Sequence, residues 1–382
     1  MRIFLTSFST LYTESTELIA DAVFPQRVHW FPETYAKTKT GLFQVPQRMF
    51  ERVLTPQIME HIKSNKRPGE RVGFILAGGS QVWGTGGAPL YEPNVTNSLA
   101  YAYKMELLNV TNIFGARASA VLGGADHVST DASTCASSLK VMMDVRHLIN
   151  LYGFDRVIVL GIEDAVCNTV LNFFGSAKAN ICLDDEALGK VPSAFDKKHG
   201  GFYLGQGAVL AVFESEAAAQ RRGSNPRAEL LGAYTAAEDY SNPLGQREDG
   251  QGYLRAIQGA LETSKRSPEG VGIIKTHGTG TEVNNRSERA AIEATFKDFV
   301  ATSYKQRIGH TVGASGLLET CILLDDIKRG GTIPEIKNRT EEDTKFISSP
   351  TKAPRGLLLS LAAGMGNVYS AALFDYYDHN KI

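Results

Sequence analysis

Three short apolar runs with glycine in or beside them constrain this chain most: Arg71-Val-Gly-Phe-Ile-Leu-Ala77, Arg156-Val-Ile-Val-Leu-Gly161 and Ala208-Val-Leu-Ala-Val-Phe213. A half-exposed strand alternates apolar with polar residues, whereas continuous apolar runs of this length suit strands covered on both faces. Between the first two runs lies the stretch 136–151, where Leu139, Met142, Met143, Leu148 and Ile149 recur at helical spacing. Alternating buried strands and amphipathic helices predict an α/β fold.

A chain of 382 residues has room for two domains or for one large duplicated α/β unit with an ample core. The polar stretch 215–227 is the best boundary, giving halves 1–220 and 221–382, and 239–252 reads as a second polar loop, expected to be exposed. A faint repeat crosses that boundary. Ser133-Thr-Cys-Ala-Ser-Ser leads into a helical pattern and then the run from Arg156. Gly313-Ala-Ser-Gly likewise leads into the helical pattern 317–328 and later Arg355-Gly-Leu-Leu-Leu-Ser. Such a unit is common in α/β proteins, so alone it is a weak signal.

The composition narrows the function. A formal charge of −1 with interspersed signs leaves no basic stripe for nucleic acid. The longest strongly apolar runs fall far below a membrane-spanning length, and Thr6, Ser7 and Ser9 interrupt the opening Met1-Arg-Ile-Phe-Leu before a signal-peptide core forms. Four cysteines, Cys135, Cys167, Cys182 and Cys321, are too sparse for a disulfide scaffold and make no Cys-x-x-Cys pair. Neither metal, nucleic acid nor membrane is expected, and a reducing, cytoplasmic compartment is.

Cys135 stands in Asp131-Ala-Ser-Thr-Cys-Ala-Ser-Ser-Leu139, just before the amphipathic helix. Free amides and the positive dipole end at a helix start lower a thiol's pKa from about 8.5 to roughly 3.5–7.5. An isolated cysteine is nonetheless more often an inert buried thiol. Two histidine loops change the weighing: His277-Gly-Thr-Gly-Thr281, and Gly309-His310-Thr-Val-Gly-Ala-Ser-Gly316. Glycines beside each imidazole allow tight turns and close approach to a ligand. A lone loop histidine is usually structural. Two of them, with a cysteine at a helix start, invite one explanation: a sulfur nucleophile and two hydrogen-bond donors around one reacting carbonyl.

These three segments, with Lys305 five residues before His310, Glu319 nine after it and Glu288 eleven after His277, resemble the signatures of β-ketoacyl synthases of the elongating type, in the thiolase superfamily. Pro192-Ser-Ala-Phe-Asp196 and Gly200 to Gly207 are similar to the family's middle segment, and Gly364-Met-Gly366 to its C-terminal oxyanion loop. The resemblance runs from about Val121 to Phe374. It implies a thiolase fold: duplicated α/β halves in a five-layered α-β-α-β-α arrangement, the first half carrying the nucleophile and the second both histidine loops. It further implies decarboxylative Claisen condensation of an acyl group held on Cys135 with a malonyl-type thioester. Cys135 and Met365 would supply the oxyanion amides, with Met365 also at the gate, and His277 and His310 would stabilise the enolate. Lys305 and Glu319 would order the site, or form a mere surface pair. Thr279 and Thr281 would hold a phosphopantetheine arm; Phe173, Phe174 and Phe202 would line the acyl pocket or simply pack as core. No cofactor of the chain's own is implied, because the substrates ride on the phosphopantetheine of an acyl-carrier protein. A homodimer, or a heterodimer with a ketosynthase-like subunit, is implied as the assembly.

No Cys-x-Gly pattern of a thiolase appears near the C-terminus, and two histidines point to elongation rather than to initiating-type synthases, which use one histidine and an asparagine. The chain departs from the family at Met365, usually phenylalanine, at Asn367, usually glycine, at Asn285, usually aspartate, and at Gln206, where an acid is common. With a less typical N-terminal segment, these departures favour a specialised fatty-acid or polyketide-like product. Two alternatives stay open: a malonyl-thioester decarboxylase, and a non-catalytic chain-length partner subunit of a ketosynthase heterodimer.

Overall fold

The structure is a computed structural model that describes residues 1–15, 17–19, 26–29, 44–64, 67–78, 111–164, 166, 168–177, 179, 191–198 and 200–376. In the strand Arg156–Glu163, Val157 and Val159 point into one apolar cluster and Ile158, Leu160 and Ile162 into another. Leu357–Gly364 divides its side chains the same way, Leu358 and Ala362 to one face, Leu359, Leu361 and Ala363 to the other. Side chains alternate along a strand, so a fully apolar run leaves both faces needing cover.

Ten strands join edge to edge in the order Val300–Thr302, Val271–Lys275, Leu357–Gly364, Val368–Tyr376, Ala228–Ala237, Ile3–Leu11, Gly207–Ser215, Arg156–Glu163, Val72–Ala77, His127–Asp131. From either outer edge inward, the pairings run parallel, parallel, antiparallel, antiparallel. The two five-stranded halves therefore share one topology. Among the described residues their sheets are joined edge to edge by two residue pairs, Phe4 with Glu229 and Leu5 with Ala228.

Helices Gln44–Val53, Pro56–Lys63 and Thr111–Val121 cover the outer face of one half, burying Phe50, Ile58 and Phe114 against Phe74, Leu76 and Ile158. Gln251–Ser264 and Glu282–Thr295 cover the other half through Tyr253, Ile257 and Ile292. Between the halves run Ser137–Asn150 and Ser315–Gly330, and their Leu139, Met142, Leu317 and Cys321 share one core with Val159, Val209, Leu358 and Phe374. The layers are thus helix, sheet, helix, sheet, helix. Each such side chain contributes about 1.5–3 kcal/mol of burial, and the central layer draws it from both halves.

The two central helices cross at a glycine. A Cβ on Gly316 would lie 2.7 Å from Cβ of Leu139, so no larger residue fits without moving a helix. Beside the crossing, Ser138 Oγ accepts from the amide of Leu317 at 3.1 Å and donates to the carbonyl of Ala314 at 3.0 Å. One helix therefore caps the start of the other.

The repeat is realised as a 3-10 turn, a central helix and a buried strand in each half: Thr134–Ala136, Ser137–Asn150 and Arg156–Glu163, then Val312–Ala314, Ser315–Gly330 and Leu357–Gly364. The polar stretch 215–227 is not a plain linker. It holds the helix Glu216–Arg222, capped by Ser215 Oγ at the amide of Ala218 and closed by left-handed Gly223, so the boundary at 220/221 falls inside that helix. Among the described residues no helix is long and apolar enough to cross a membrane.

Candidate active site

Cys135 lies in the 3-10 turn Thr134–Ala136 that leads into the first central helix, and its side chain is buried. Thr134, just before it, has φ 48°, and Val312, at the same place in the second half, has φ 36°. Left-handed backbone at a β-branched residue costs of order 1–3 kcal/mol and persists only where the surroundings enforce it. The helix start does not lower the thiol as expected. Burial pushes Cys135 up to about 12, and only in part do the Lys305 ammonium and a backbone amide oppose this. Burial withholds hydration that the dipole end does not replace, so Cys135 rests as a thiol.

His277 follows the strand Val271–Lys275 and is fixed by a carboxylate from the next helix. Glu288 accepts from the amides of His277 at 2.5 Å and Gly278 at 2.9 Å, and from Asn284 Nδ2 at 3.0 Å. His310 is oriented by its own loop: the Val312 amide donates to its Nδ1 at 3.2 Å, and Ser315 Oγ lies 3.0 Å from the same nitrogen. With Nδ1 accepting, a neutral ring carries its proton on Nε2. Burial, then the Lys305 ammonium, holds both imidazoles well below the usual histidine value. Both are neutral at physiological pH.

The two rings stand edge to face with centroids 5.8 Å apart. They share a cavity of about 370 Å³ with Cys135, Met365, Thr279, Thr281, Phe173, Phe174 and Phe202. Phe174 and Phe202 are buried with ring centroids 5.7 Å apart and pack around Cys135, whereas Phe173 is 43% exposed. Lining and core packing are therefore the same role for the first two. Thr279 and Thr281 join their hydroxyls at 3.0 Å.

Lys305 and Glu319 do not line the cavity. They lie behind it, fully buried, with Nζ 2.8 Å from Oε1, which rules out a surface pair. Glu319 also accepts from a residue that sequence reasoning passed over: Lys275 Nζ lies 3.0 Å from Oε2 and donates to the carbonyl of Leu361 at 2.9 Å. A lysine closing the apolar run Val271-Gly-Ile-Ile-Lys275 was the signal, since a charge in a buried strand requires a partner. The loop 239–252 is largely exposed, yet Pro243, Leu244, Gly245 and Gln246 wall the cavity. Its polar composition gave no hint of that contact.

Sequence profiles described as "Beta-ketoacyl synthase, N-terminal domain" and "Beta-ketoacyl synthase, C-terminal domain" match residues 39–219 and 227–339. The chain belongs to the β-ketoacyl synthase family. Over 262 residues it is 32% identical to the tetracenomycin polyketide synthase ketoacyl synthase alpha subunit of Streptomyces glaucescens, covering 65% of this chain and 60% of that protein. Over 219 residues it is 29% identical to 3-oxoacyl-[acyl-carrier-protein] synthase 2 of Staphylococcus aureus (strain COL), covering 56% and 52%. The match therefore spans little more than half the length of these relatives. A β-ketoacyl synthase from Burkholderia phymatum STM815 superposes with a TM-score of 0.80 over 99% of this chain and 100% of that one, at 18% identity. A ketosynthase in complex with its chain length factor from Xenorhabdus doucetiae superposes with a TM-score of 0.76 over 98% of both, at 17% identity.

Where this chain departs from the family pattern, its substitutes have partners. Asn285 Oδ1 accepts from the Phe195 amide at 3.1 Å and Nδ2 donates to the Gly280 carbonyl at 3.4 Å. Asn367, at φ 60°, donates through Nδ2 to the Tyr240 carbonyl at 2.7 Å, while the Gly366 amide donates to Pro243 at 2.8 Å. The Met365 loop is thereby tied to the loop that walls the cavity. Gly364 holds that same loop against the turn that carries Cys135, since a Cβ there would lie 2.6 Å from the Ser133 carbonyl oxygen. Gln206 is buried, and Cys321 is a free thiol in the central core. Cys167 and Cys182 lie outside the described residues. Among the described residues no three His, Cys, Asp or Glu side chains gather as a metal site.

Proposed function

We propose that the chain is a β-ketoacyl-[acyl-carrier-protein] synthase, an acyltransferase that joins an acyl group on Cys135 to a malonyl-type extender by decarboxylative Claisen condensation. The observation that carries this reading is the convergence of Cys135, His277, His310 and Met365 on one cavity.

The acyl thioester enters on the phosphopantetheine of an acyl-carrier protein, with Thr279 and Thr281 along the arm. Sulfur attacks the carbonyl while its proton leaves, and the departing phosphopantetheine thiol carries that proton away. The backbone amides of Cys135 and Met365 receive the oxyanion; one such donor is worth about 3–4 kcal/mol. The malonyl thioester then loses carbon dioxide. The electron pair of the broken C–C bond becomes an enolate on the thioester oxygen, bonded by the Nε2–H of His310 and by His277. The enolate carbon attacks acyl-Cys135, the new C–C bond forms, the C–S bond breaks, the expelled Cys135 sulfur takes up one proton from solvent, and the β-ketoacyl product leaves on the carrier. Phe174 and Phe202 bound the acyl end, and Lys305 and Glu319 order the site without transferring protons. No cofactor of the chain's own is required.

The assembly is a homodimer or a heterodimer with a ketosynthase-like subunit, the compartment is cytoplasmic, and the product is a specialised fatty-acid or polyketide-like chain. The departures at Met365 and Asn367 support that last assignment. The test is mass spectrometry after incubation with an acyl-carrier thioester: an acyl adduct on Cys135, followed by a carrier-bound β-ketoacyl product with malonyl-carrier. Decarboxylation without an adduct would assign a malonyl decarboxylase, and neither activity a chain-length partner.

A further inference from the structure

Three buried carboxylates surround the nucleophile and the imidazoles, each from a different element. Glu163 ends the strand Arg156–Glu163 and accepts from the Gly313 amide at 3.1 Å; Glu288 comes from Glu282–Thr295; Glu319 comes from the second central helix. Two ammoniums face them, Lys275 from Val271–Lys275 and Lys305 from the short helix Lys305–Ile308. Tyr253 and Tyr369, from Gln251–Ser264 and Val368–Tyr376, have their hydroxyls held well above their ordinary value by burial and stay neutral.

The Lys305–Glu319 pair is complete without Lys275: its ammonium contacts Oε1, and Lys275 occupies the remaining oxygen, Oε2. A second cation on a carboxylate that already has one is a costly thing to bury. Its effect is on the balance of charge. Burial draws the Lys275 ammonium below its ordinary value, opposed by the Glu319 charge, and the Glu288 carboxyl above its own, opposed by the Gly278 and His277 amides. Counted as ions, the site opposes two cations to three carboxylates with Lys275, and one to three without it. The proposed reaction makes anions here in succession: the attacking sulfur, the oxyanion, the malonyl carboxylate and the enolate. An unbalanced carboxylate disfavours every one of them in a medium that screens poorly.

We propose that Lys275 is an electrostatic positioning residue, supplying the second buried positive charge that lets the cavity hold an anion beside Cys135, His277 and His310. This rests on the condensing reading above for its purpose, but its test does not. Cys135 is alkylated by iodoacetate, an anion, and by iodoacetamide, which is neutral, and the ratio of the two rates is read by intact mass. Changes in thiol pKa or access act on both reagents, whereas the local potential favours or disfavours only the anion.

Lys275→Gln keeps a donor toward Glu319 and Leu361 and leaves the Lys305–Glu319 pair intact. The iodoacetate-to-iodoacetamide ratio is expected to fall about tenfold, the order of one unit charge acting nearby in a protein interior. Lys275→Arg is expected to hold it within about twofold of the starting protein. Lys275→Met serves as the second charge-removing variant if the glutamine variant does not fold. An unchanged ratio in either neutral variant, or an equal fall in the arginine variant, overturns the proposal and leaves Lys275 a tether between Val271–Lys275 and Leu357–Gly364. Failure of the unaltered protein to condense acyl and malonyl carriers would overturn the condensing reading and leave this ratio to stand or fall by itself.

Discussion

The amide of Val312 points at Nδ1 of His310 over 3.2 Å. The turn that repeats the backbone at Cys135 in the second half of the fold thus fixes which nitrogen of the imidazole carries the proton.

From that tautomer the first prediction follows. His310→Ala is expected to spare acyl transfer to Cys135 while slowing malonyl decarboxylation by about a hundred- to a thousandfold, the scale of one lost oxyanion donor. His277→Ala should act in the same direction. Single-turnover assays of the two half-reactions read this, and decarboxylation at the unaltered rate in His310→Ala would remove the histidine from the enolate step. Because burial holds both rings well below the usual histidine value, decarboxylation should show no titration near pH 6.5, roughly the free value. Rings neutral in the fold but able to protonate when unfolded subtract stability as pH falls below about 6.5.

Cys135→Ala should abolish acyl loading and condensation while malonyl decarboxylation persists. The thiol itself, pushed up to about 12 by burial, should alkylate ever faster with rising pH across the alkaline range. A plateau reached below about pH 8, near the ordinary thiol value, would mean a thiolate at rest.

The three-way contact at Glu319 predicts an order of stabilities. Lys305→Met leaves the carboxylate still bonded by Lys275 at 3.0 Å. Glu319→Leu instead strands two buried ammoniums, and breaking a buried pair from one side costs about 3–5 kcal/mol. Denaturant unfolding should therefore find Glu319→Leu the less stable variant; the reverse order would place the stabilising contact elsewhere.

Away from the site, Glu214 is expected to contribute to acid stability. Burial raises it, but the His61, Ser224 and Thr6 side chains and the Arg222 guanidinium outweigh that and hold the carboxyl at about 2; Ser224 Oγ donates at 2.6 Å and Arg222 Nε lies 2.6 Å away. A depressed folded-state value gives stability that is present above the unfolded value and lost as pH falls through the folded one. For Glu214 the window runs from about 4.5 down to 2 and is worth about 3 kcal/mol. Glu214→Gln should flatten the unfolding free energy across that window while lowering it at neutral pH. An unaltered acid limb would assign acid lability to other carboxylates.

Much of this was legible in the sequence because the signals were local. The continuous apolar run from Arg156 to Gly161 demanded a doubly covered strand, and Cys135 and the glycine-flanked His277 and His310 stood in short ordered motifs. Charge was harder to read. Dipole reasoning from the helix start gave a lowered thiol for Cys135, whereas the cavity walls raise it, and walls assembled from several elements leave no mark within one segment. Lys275 closes an apolar run, which marks it as needing a partner, but its partners Glu319 and Leu361 lie on other elements and are not legible there.

By itself the sequence determined which residue types could act as nucleophile and donors, and that buried strands would alternate with amphipathic helices, because side-chain chemistry and apolar period are properties of neighbouring positions. Only the tertiary structure decided that Cys135, His277 and His310 share one cavity, that the thiol rests protonated, and that two ammoniums meet one carboxylate behind it. Desolvation and charge balance depend on what packs around a group in space, and the chain brings those groups together only when its two halves close on the central helices.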